Sequence, residues 1–226
     1  MSAADPVRAD LRHVDTWLFD LDNTLYPAEC GFMGEIEQRM TAFVQKVTGL
    51  PREDAYRLQK DYLREHGLTL LGLMKNHGVD PAEFHALFHD LSLECLAHDP
   101  ELLAGIARLP GRRLIFTNAD DVHAERVLAR LGLADLFEDV FHIGSTGYRP
   151  KPDPAAFQAM NDAHGIAPGQ AAFFEDSERN LAPAAELGMT TVLVGPHAPA
   201  SAAPFVHHRT ARLAPFLAAA QVKEAA

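Results

Sequence analysis

The stretch TWLFDLDNTLY at residues 16–26 constrains the fold of this chain more than any other part of it. Its apolar run, residues 17–19, lacks alternation, which is typical of a strand buried on both faces of a parallel sheet. Asp20 and Asp22 then fall at the carboxyl end of that strand, where open α/β sheets bind ligands. Two acids there are costly to desolvate unless a cation or hydrogen-bond donors balance them. A divalent metal is the simplest balance, and one carboxylate beside it can serve as a nucleophile.

An ordinary turn or helix N-cap is the alternative interpretation of the Asp-Asn-Thr run. The apolar strand before it and Leu25-Tyr26 after it favour the active site.

Strand and helix patterns alternate along most of the chain, after a lead-in at residues 1–14 that we expect to be loose. Helical periodicity occupies about residues 27–100, and further strands are predicted at 113–116, 140–143, 171–174 and 190–194. A weak helix is predicted near 213–222. Alternation of this kind predicts a parallel sheet with helices on both faces.

We therefore predict an α/β fold with two domains. Residues 1–26 and 100–226 would form a Rossmann-like three-layer α/β/α core. Residues 27–99 would form an inserted all-helical cap domain that hangs over the carboxyl edge of the sheet.

The charge balance limits the partners of this protein. Twenty basic and 31 acidic residues give a formal net charge of −11, which argues against a nucleic acid polymer or an anionic membrane as partner. A small anionic substrate remains open.

No apolar segment is long enough to span a bilayer, the first residues lack the apolar core of a signal peptide, and Cys30 and Cys95 have no metal-like spacing. These features predict a cytoplasmic protein, either a monomer or a homodimer.

Polar groups follow four predicted strands and are expected to meet in one crevice. They are Asp20 and Asp22, Thr117-Asn118, the loop around Lys151, and Glu175-Asp176. Carboxylates from two strands suit Mg²⁺, which prefers oxygen ligands and often shares a substrate phosphate oxygen. Thr117-Asn118 and Lys151 offer donors and a positive charge for the remaining phosphate oxygens. A lysine in a loop is ordinarily a solvated surface residue, but the flanking prolines favour a functional role for Lys151.

The chain resembles the haloacid dehalogenase superfamily, whose four motifs match in order. The matching residues are Asp20-x-Asp22-x-Thr24, Thr117-Asn118, Lys151, and Glu175-Asp176 with Asn180. The resemblance implies that Asp20 attacks phosphorus and that Asp22 acts as general acid and then base. It also implies that Thr117, Asn118 and Lys151 hold the phosphoryl oxygens. Mg²⁺ would be bound by the side chains of Asp20 and Asp176 and the backbone carbonyl of Asp22, with Glu175 and Asn180 behind them.

The protonated state that a general acid needs is expected for Asp22 from its crowding by Asp20. Dehalogenase members of the superfamily lack this second aspartate, so Asp22 favours phosphoryl transfer.

A closer resemblance is to the pyrimidine 5′-nucleotidase branch, whose members remove phosphate from nucleotides such as UMP and CMP. It is carried by residues 19–26, 62, 67–73, 113–118, 123–127, 148–152 and 174–177. The chain departs from that branch at His66, where a phenol is expected, and at Ala119-Asp120. Tyr26, Tyr62 and His66 are the candidates for the leaving-group side, although such tyrosines are more often core residues.

Other functions remain open at this point. The alternatives are a phosphatase of another small metabolite, such as a sugar phosphate or phosphoglycolate, a phosphomutase, and a non-catalytic binding protein on the same fold. Intact acids and Lys151 speak against the last. His85 and His89 stand four residues apart, but no third ligand follows, so zinc is not favoured. His207-His208 lie in the tail and are expected to face solvent.

Overall fold

A six-stranded sheet in which all neighbouring strands are parallel forms the centre of the molecule. The computed structural model describes residues 8–224. Its strands are β1 (Thr16–Phe19), β2 (Arg112–Phe116), β3 (Asp139–Phe141), β4 (Ala171–Glu175), β5 (Thr190–Val194) and β6 (His208–Thr210). Their spatial order is β3-β2-β1-β4-β5-β6, so β1 lies between β2 and β4. The predicted α/β fold with a parallel sheet is confirmed.

Nine helices are seen in the part of the chain that the structure describes. They are α1 (Phe32–Thr48), α2 (Arg52–His66), α3 (Thr69–His77), α4 (Pro81–Ala86), α5 (Pro100–Ala107), α6 (Asp121–Leu131), α7 (Pro154–His164), α8 (Glu178–Glu186) and α9 (Leu213–Ala219). Five of these helices, α1 to α5, lie between β1 and β2. The first four, with the segments that connect and follow them up to residue 99, are called the helical insertion below. The division of the chain into two domains at residues 26 and 99 stays a prediction.

Both faces of β1 are buried, which explains its uninterrupted apolar sequence. Trp17 and Phe19 belong to one hydrophobic cluster, together with residues of α5, α6 and α9. Leu18 points to the other face and belongs to a second cluster, together with residues of α7 and α8. A strand covered on both faces places the residues that follow it, Asp20 and Asp22, at the carboxyl end of the sheet rather than on an open face.

Helix boundaries in the insertion follow from local signals in the sequence. Helix α2 ends at Gly67, whose φ of 81° is left-handed and favours glycine, and whose N–H donates to Leu63 O. Helix α4 begins after Asp80, whose carboxylate accepts from the N–H of Ala82. This helix is shorter than its apolar pattern predicts, because it ends at Ala86 and residues 87–90 continue as turns.

Two expectations about the ends of the chain were wrong. The predicted loose lead-in is packed from residue 9 onward: Leu11 and Val14 are fully buried, and the Leu11 N–H donates to Gln221 O. Residues 1–7 of that lead-in lie outside the described chain. In the tail, the helix predicted near residues 213–222 is confirmed as α9, but His208, expected to face solvent, lies in β6, pairs with Val192 and is half-buried, while His207 is exposed as expected. This edge strand was missed because three polar residues give too short a pattern to recognise.

None of the helices in residues 8–224 combines the length and apolar character needed to cross a bilayer.

Candidate active site

The carboxylate of Asp20 is held by two donors at the carboxyl end of β1. Its N–H continues the sheet by donating to Phe174 O at 2.9 Å. Lys151 Nζ donates to Oδ1 at 2.7 Å, and the Thr24 hydroxyl donates to Oδ2 at 3.1 Å. The side chain is only 9% exposed. Asp20 is thus oriented from both of its oxygens, as a positioned nucleophile requires.

Lys151 lies beneath this carboxylate and is almost completely buried, at 1% exposed. Its ammonium donates to Asp20, to Glu175 Oε2 at 2.9 Å and to the carbonyl of Phe116 at 2.5 Å. Burial alone would lower the pKa of Lys151, but the two carboxylates outweigh it and hold that pKa above its ordinary value. The solvated-surface interpretation of this residue was therefore wrong.

Asn118 positions the backbone of Lys151 rather than presenting a free amide. Its Nδ2 donates to Lys151 O at 3.1 Å, and the Lys151 N–H donates to Asn118 Oδ1 at 2.9 Å. This reciprocal pair joins the loop after β2 to the loop that carries the lysine. The neighbouring Thr117 is buried, lines the cavity described below, and accepts a hydrogen bond from the Ala119 N–H at 3.0 Å.

An acidic cluster occupies the adjoining strand end. Asp20, Glu175 and Asp176 each offer a carboxylate oxygen, and these oxygens lie within 4.8 Å of one another. Burial is the main reason that the pKa values of Asp20 and Glu175 rise to about 7, and that of Asp176 to about 6. Three carboxylates face one buried lysine, so their ionised forms leave a net negative charge that a divalent cation would balance.

The donor set fits Mg²⁺. It consists of oxygens from carboxylates, which this ion prefers. Two amide oxygens near the cluster, Asn23 Oδ1 and Asn180 Oδ1, are buried without a partner among the described residues. Buried polar atoms are rarely left unpaired, so these oxygens suit a site that also binds water or a hydrated ion.

Asp22 has surroundings different from those of Asp20. Its Oδ1 accepts from His123 Nε2 at 2.9 Å and from the Tyr26 hydroxyl at 2.6 Å. Burial raises the pKa of Asp22, but the adjacent His123 and the two hydrogen bonds outweigh it and leave that pKa below its ordinary value. We expected crowding by Asp20 to keep Asp22 protonated. The structure differs, because His123 and Tyr26 stabilise the ionised carboxylate of Asp22.

His123 is a site residue that was not predicted, although residues 123–127 contribute to the resemblance. Its position offered a signal, since it shares one face of α6 with Val127 and Leu131, which are buried. A polar residue on such a face, one turn after a strand end, points toward the crevice.

A cavity of about 430 Å³ opens above these groups. Its floor contains Asp20, Asp22, Thr117 and Lys151. The helical insertion contributes a largely apolar wall, formed by Met33, Ile36, Met40, Leu63, Leu68, Leu70, Phe84 and Phe88. Arg179 and His85 also line it. The site is therefore a polar floor beneath an apolar roof, which is a common form for a small-molecule site.

The candidates for the leaving-group side separate in the structure. Tyr26 reaches the site through Asp22, as described above. Tyr62 is buried in the insertion and its hydroxyl contacts His77 Nε2 at 2.9 Å. In the described chain, neither Tyr62 nor His66 lines the cavity, whereas Ala119 and Asp120 do.

Asp120 connects the insertion to the core. Its Oδ2 contacts His89 Nε2 at 2.8 Å and His85 Nδ1 at 3.3 Å, while its Oδ1 accepts from the His123 N–H at 2.7 Å. The two histidines that raised the question of zinc thus pair with an aspartate.

Comparisons with known proteins agree on the family. Residues 14–188 match the haloacid dehalogenase-like hydrolases. Phosphate metabolism protein 8 of Saccharomyces cerevisiae is 31% identical over 195 residues, which cover 78% of this chain and 60% of the yeast protein. Phosphoglycolate phosphatase of Rhodospirillum rubrum is 34% identical over 113 residues, which cover 44% of this chain and 46% of that enzyme. The matched regions are thus less than two thirds of either relative.

Solved structures share the fold at lower identity. A HAD phosphatase from Thermococcus onnurineus superposes with a TM-score of 0.62 at 18% identity, covering 88% of this chain and 94% of that one. A 2-haloacid dehalogenase from Pseudomonas syringae pv. tomato superposes with a TM-score of 0.55 at 22% identity, covering 91% and 98%. At these identities the likeness shows the fold and does not choose between the two activities.

Proposed function

Because the chain belongs to the haloacid dehalogenase-like hydrolases, we propose that it is a Mg²⁺-dependent phosphomonoester hydrolase acting on pyrimidine nucleoside monophosphates. The observation that carries the proposal is the buried cluster of Asp20, Lys151, Glu175 and Asp176 with Asp22 beside it. An oriented carboxylate, a neighbouring acid and a buried cation are the groups that phosphoryl transfer through a covalent intermediate requires.

In the proposed reaction, a carboxylate oxygen of Asp20 attacks phosphorus and the bond to the leaving alcohol breaks. Asp22 must carry a proton when that bond breaks, although His123 and Tyr26 favour its ionised form. It gives this proton to the alkoxide and later takes one from the water that hydrolyses the aspartyl phosphate. Thr117 holds a phosphoryl oxygen and Asn118 fixes the lysine loop. Lys151 acts on the phosphoryl group through its positive charge, because its three N–H groups already donate to Asp20, Glu175 and the Phe116 carbonyl. The side chains of Asp20 and Asp176 and the carbonyl of Asp22 would hold Mg²⁺, with Glu175 and Asn180 around them. The ion would neutralise charge on the phosphoryl oxygens.

Two features favour phosphoryl transfer over the displacement of a halide. Asp22 is present, whereas the resemblance implies that dehalogenases lack it. The three carboxylates also leave an excess of negative charge, which suits a metal and a phosphoryl group better than a small haloacid alone.

The apolar wall formed by the helical insertion favours a substrate whose leaving group carries a nucleobase over a simple sugar phosphate. Met33, Met40, Phe84 and Phe88 offer flat or adaptable apolar contacts to a planar ring. Thr69 and His85 are polar side chains that the insertion adds to the lining, but most hydroxyls of a sugar phosphate would still meet apolar groups there, which costs free energy. Within the described chain, the insertion contributes neither Lys nor Arg to the lining, so a phosphomutase, which must hold a second phosphate, is less well supported. We propose that the insertion acts as a cap over the site.

The test is phosphate release, with and without Mg²⁺, from UMP, CMP, dTMP, AMP, GMP, several sugar phosphates and phosphoglycolate. Asp20→Asn should remove the activity, while Asp135→Asn, at an exposed position, should keep it. Preference for UMP and CMP supports the proposal. Preference for sugar phosphates or phosphoglycolate would overturn the nucleotidase assignment and keep the chemistry. Activity that Asp20→Asn leaves unchanged would overturn the mechanism.

A further inference from the structure

We propose that His123 is a positioning residue for the general acid: together with Tyr26 it fixes one carboxylate oxygen of Asp22, so that the other oxygen carries the proton to the leaving group. This inference rests on the proposed function and adds a residue to it.

Both donors meet the same atom of Asp22. His123 Nε2 lies 2.9 Å and the Tyr26 hydroxyl 2.6 Å from Oδ1. Oδ2 makes no hydrogen bond to any described residue, while the side chain lines the cavity and is 21% exposed. An oxygen that accepts two hydrogen bonds has no room for a proton of its own. The open oxygen, Oδ2, is therefore the one that can carry the transferable proton.

The two bonds also restrict rotation of the carboxylate. The terminal torsion angle of an aspartate side chain has a broad distribution, so a free carboxylate can rotate its two oxygens through many orientations. With Oδ1 tied at two points, Oδ2 keeps one direction relative to the substrate. A misplaced catalytic group loses much of its effect, so this orientation matters for rate.

The donors themselves are held by the helical insertion. The ring of His123 stacks on Phe32, with centroids 5.8 Å apart and planes 11° apart. The ring of Tyr26 packs edge-on against the same Phe32 at 6.0 Å. His123 is 5% exposed, and its backbone N–H donates to Asp120 Oδ1. Phe32, the first residue of α1, thus supports both donors.

The competing interpretation is that His123 is a buried histidine with a purely structural hydrogen bond. The two interpretations differ in how the rate depends on the leaving group. A structural defect lowers the rate on every substrate to the same extent. A misplaced general acid harms a poor leaving group, which needs the proton, more than a good one, which does not.

The experiment compares p-nitrophenyl phosphate with benzyl phosphate, whose similar rings suit the apolar roof and whose leaving groups differ in basicity. His123→Phe keeps a ring against Phe32 and removes the donor. His123→Gln keeps an N–H where Nε2 lies. His164→Phe is the matched control, since His164 packs on Phe141 at the far end of α7. The measured quantity is kcat/KM, which includes departure of the leaving group.

We expect His123→Phe to lower kcat/KM at least about tenfold on benzyl phosphate and less than about threefold on p-nitrophenyl phosphate. His123→Gln should recover most of the loss, Tyr26→Phe should give a smaller loss with the same bias, and His164→Phe should change neither substrate. Equal losses on both substrates, or no recovery with His123→Gln, would overturn the inference alone. If the unaltered protein hydrolysed neither phosphate, the proposed function would fail and the inference with it.

Discussion

Replacing Asp176 by asparagine is expected to stabilise the metal-free protein, although it removes a residue of the proposed metal site. Burial, followed by the negative charge of Asp20, raises the pKa of Asp176 from the ordinary 3.8 to about 6. Since one pKa unit corresponds to about 1.4 kcal/mol, ionising Asp176 costs the folded state about 3 kcal/mol above pH 7. Asparagine carries no charge and avoids that cost.

The sign of the pH dependence follows from the raised pKa. The folded protein holds this proton more tightly than the unfolded chain, so its stability falls as pH rises from about 4 through about 6. Asp176→Asn should therefore exceed the unaltered protein by up to about 3 kcal/mol at pH 8, and by about half of that at pH 5. Urea unfolding in the presence of a chelator measures the difference.

Mg²⁺ should reverse the order of the two proteins. Binding to the folded state alone stabilises it by about 4.1 kcal/mol when the ion is present at about 1,000 times its Kd, which exceeds the difference of about 3 kcal/mol. The unaltered protein should gain this stability and Asp176→Asn should not. Asp135→Asn, at an exposed position, is the control and should behave like the unaltered protein. If Asp176→Asn were the less stable protein at pH 8 without metal, the idea that repulsion is stored in the acidic cluster would be refuted.

Two further substitutions test the charge balance and the packing of the insertion. Lys151→Met should cost about 3–5 kcal/mol at pH 8 and less at pH 5, where the carboxylates take up protons; an equal cost at both pH values in urea unfolding would contradict this. Gly72→Ala should cost about 1–3 kcal/mol, because its Cβ would lie 2.2 Å from the Tyr62 ring. Gly34→Ala, whose Cβ would meet nothing within 4 Å, should instead be neutral or stabilising; thermal unfolding of both variants shows whether the signs differ.

The grouping of the polar residues at the base of the cavity was predictable, because the carboxyl ends of parallel strands all lie on one side of the sheet. Asp20 and Thr117 each follow a buried strand and Glu175 ends one, which is enough to bring the three residues together whatever the details of the loops. The apolar pattern of β1 carried the same information about the core, since a strand covered on both faces cannot alternate.

Pairings across long sequence separations were not predictable in the same way. Nothing in the sequence shows that Asn118 locks the loop of Lys151, which lies 33 residues away, or that His123 reaches Asp22, which lies 101 residues away. These contacts depend on how the helices pack on the sheet. The lowered pKa of Asp22 follows from one such contact, so an expectation based on its neighbour Asp20 missed it.

The proposed mechanism requires that Asp20 becomes phosphorylated, which an acid-quenched single turnover would detect. The protein with Mg²⁺ would be mixed with UMP, stopped in acid within milliseconds to seconds, digested and analysed by mass spectrometry. We expect one transient phosphoryl group on the peptide that contains Asp20, and none with Asp20→Asn. Rapid phosphate release with no phosphorylated peptide at any time, or a phosphoryl group on another residue, would contradict it.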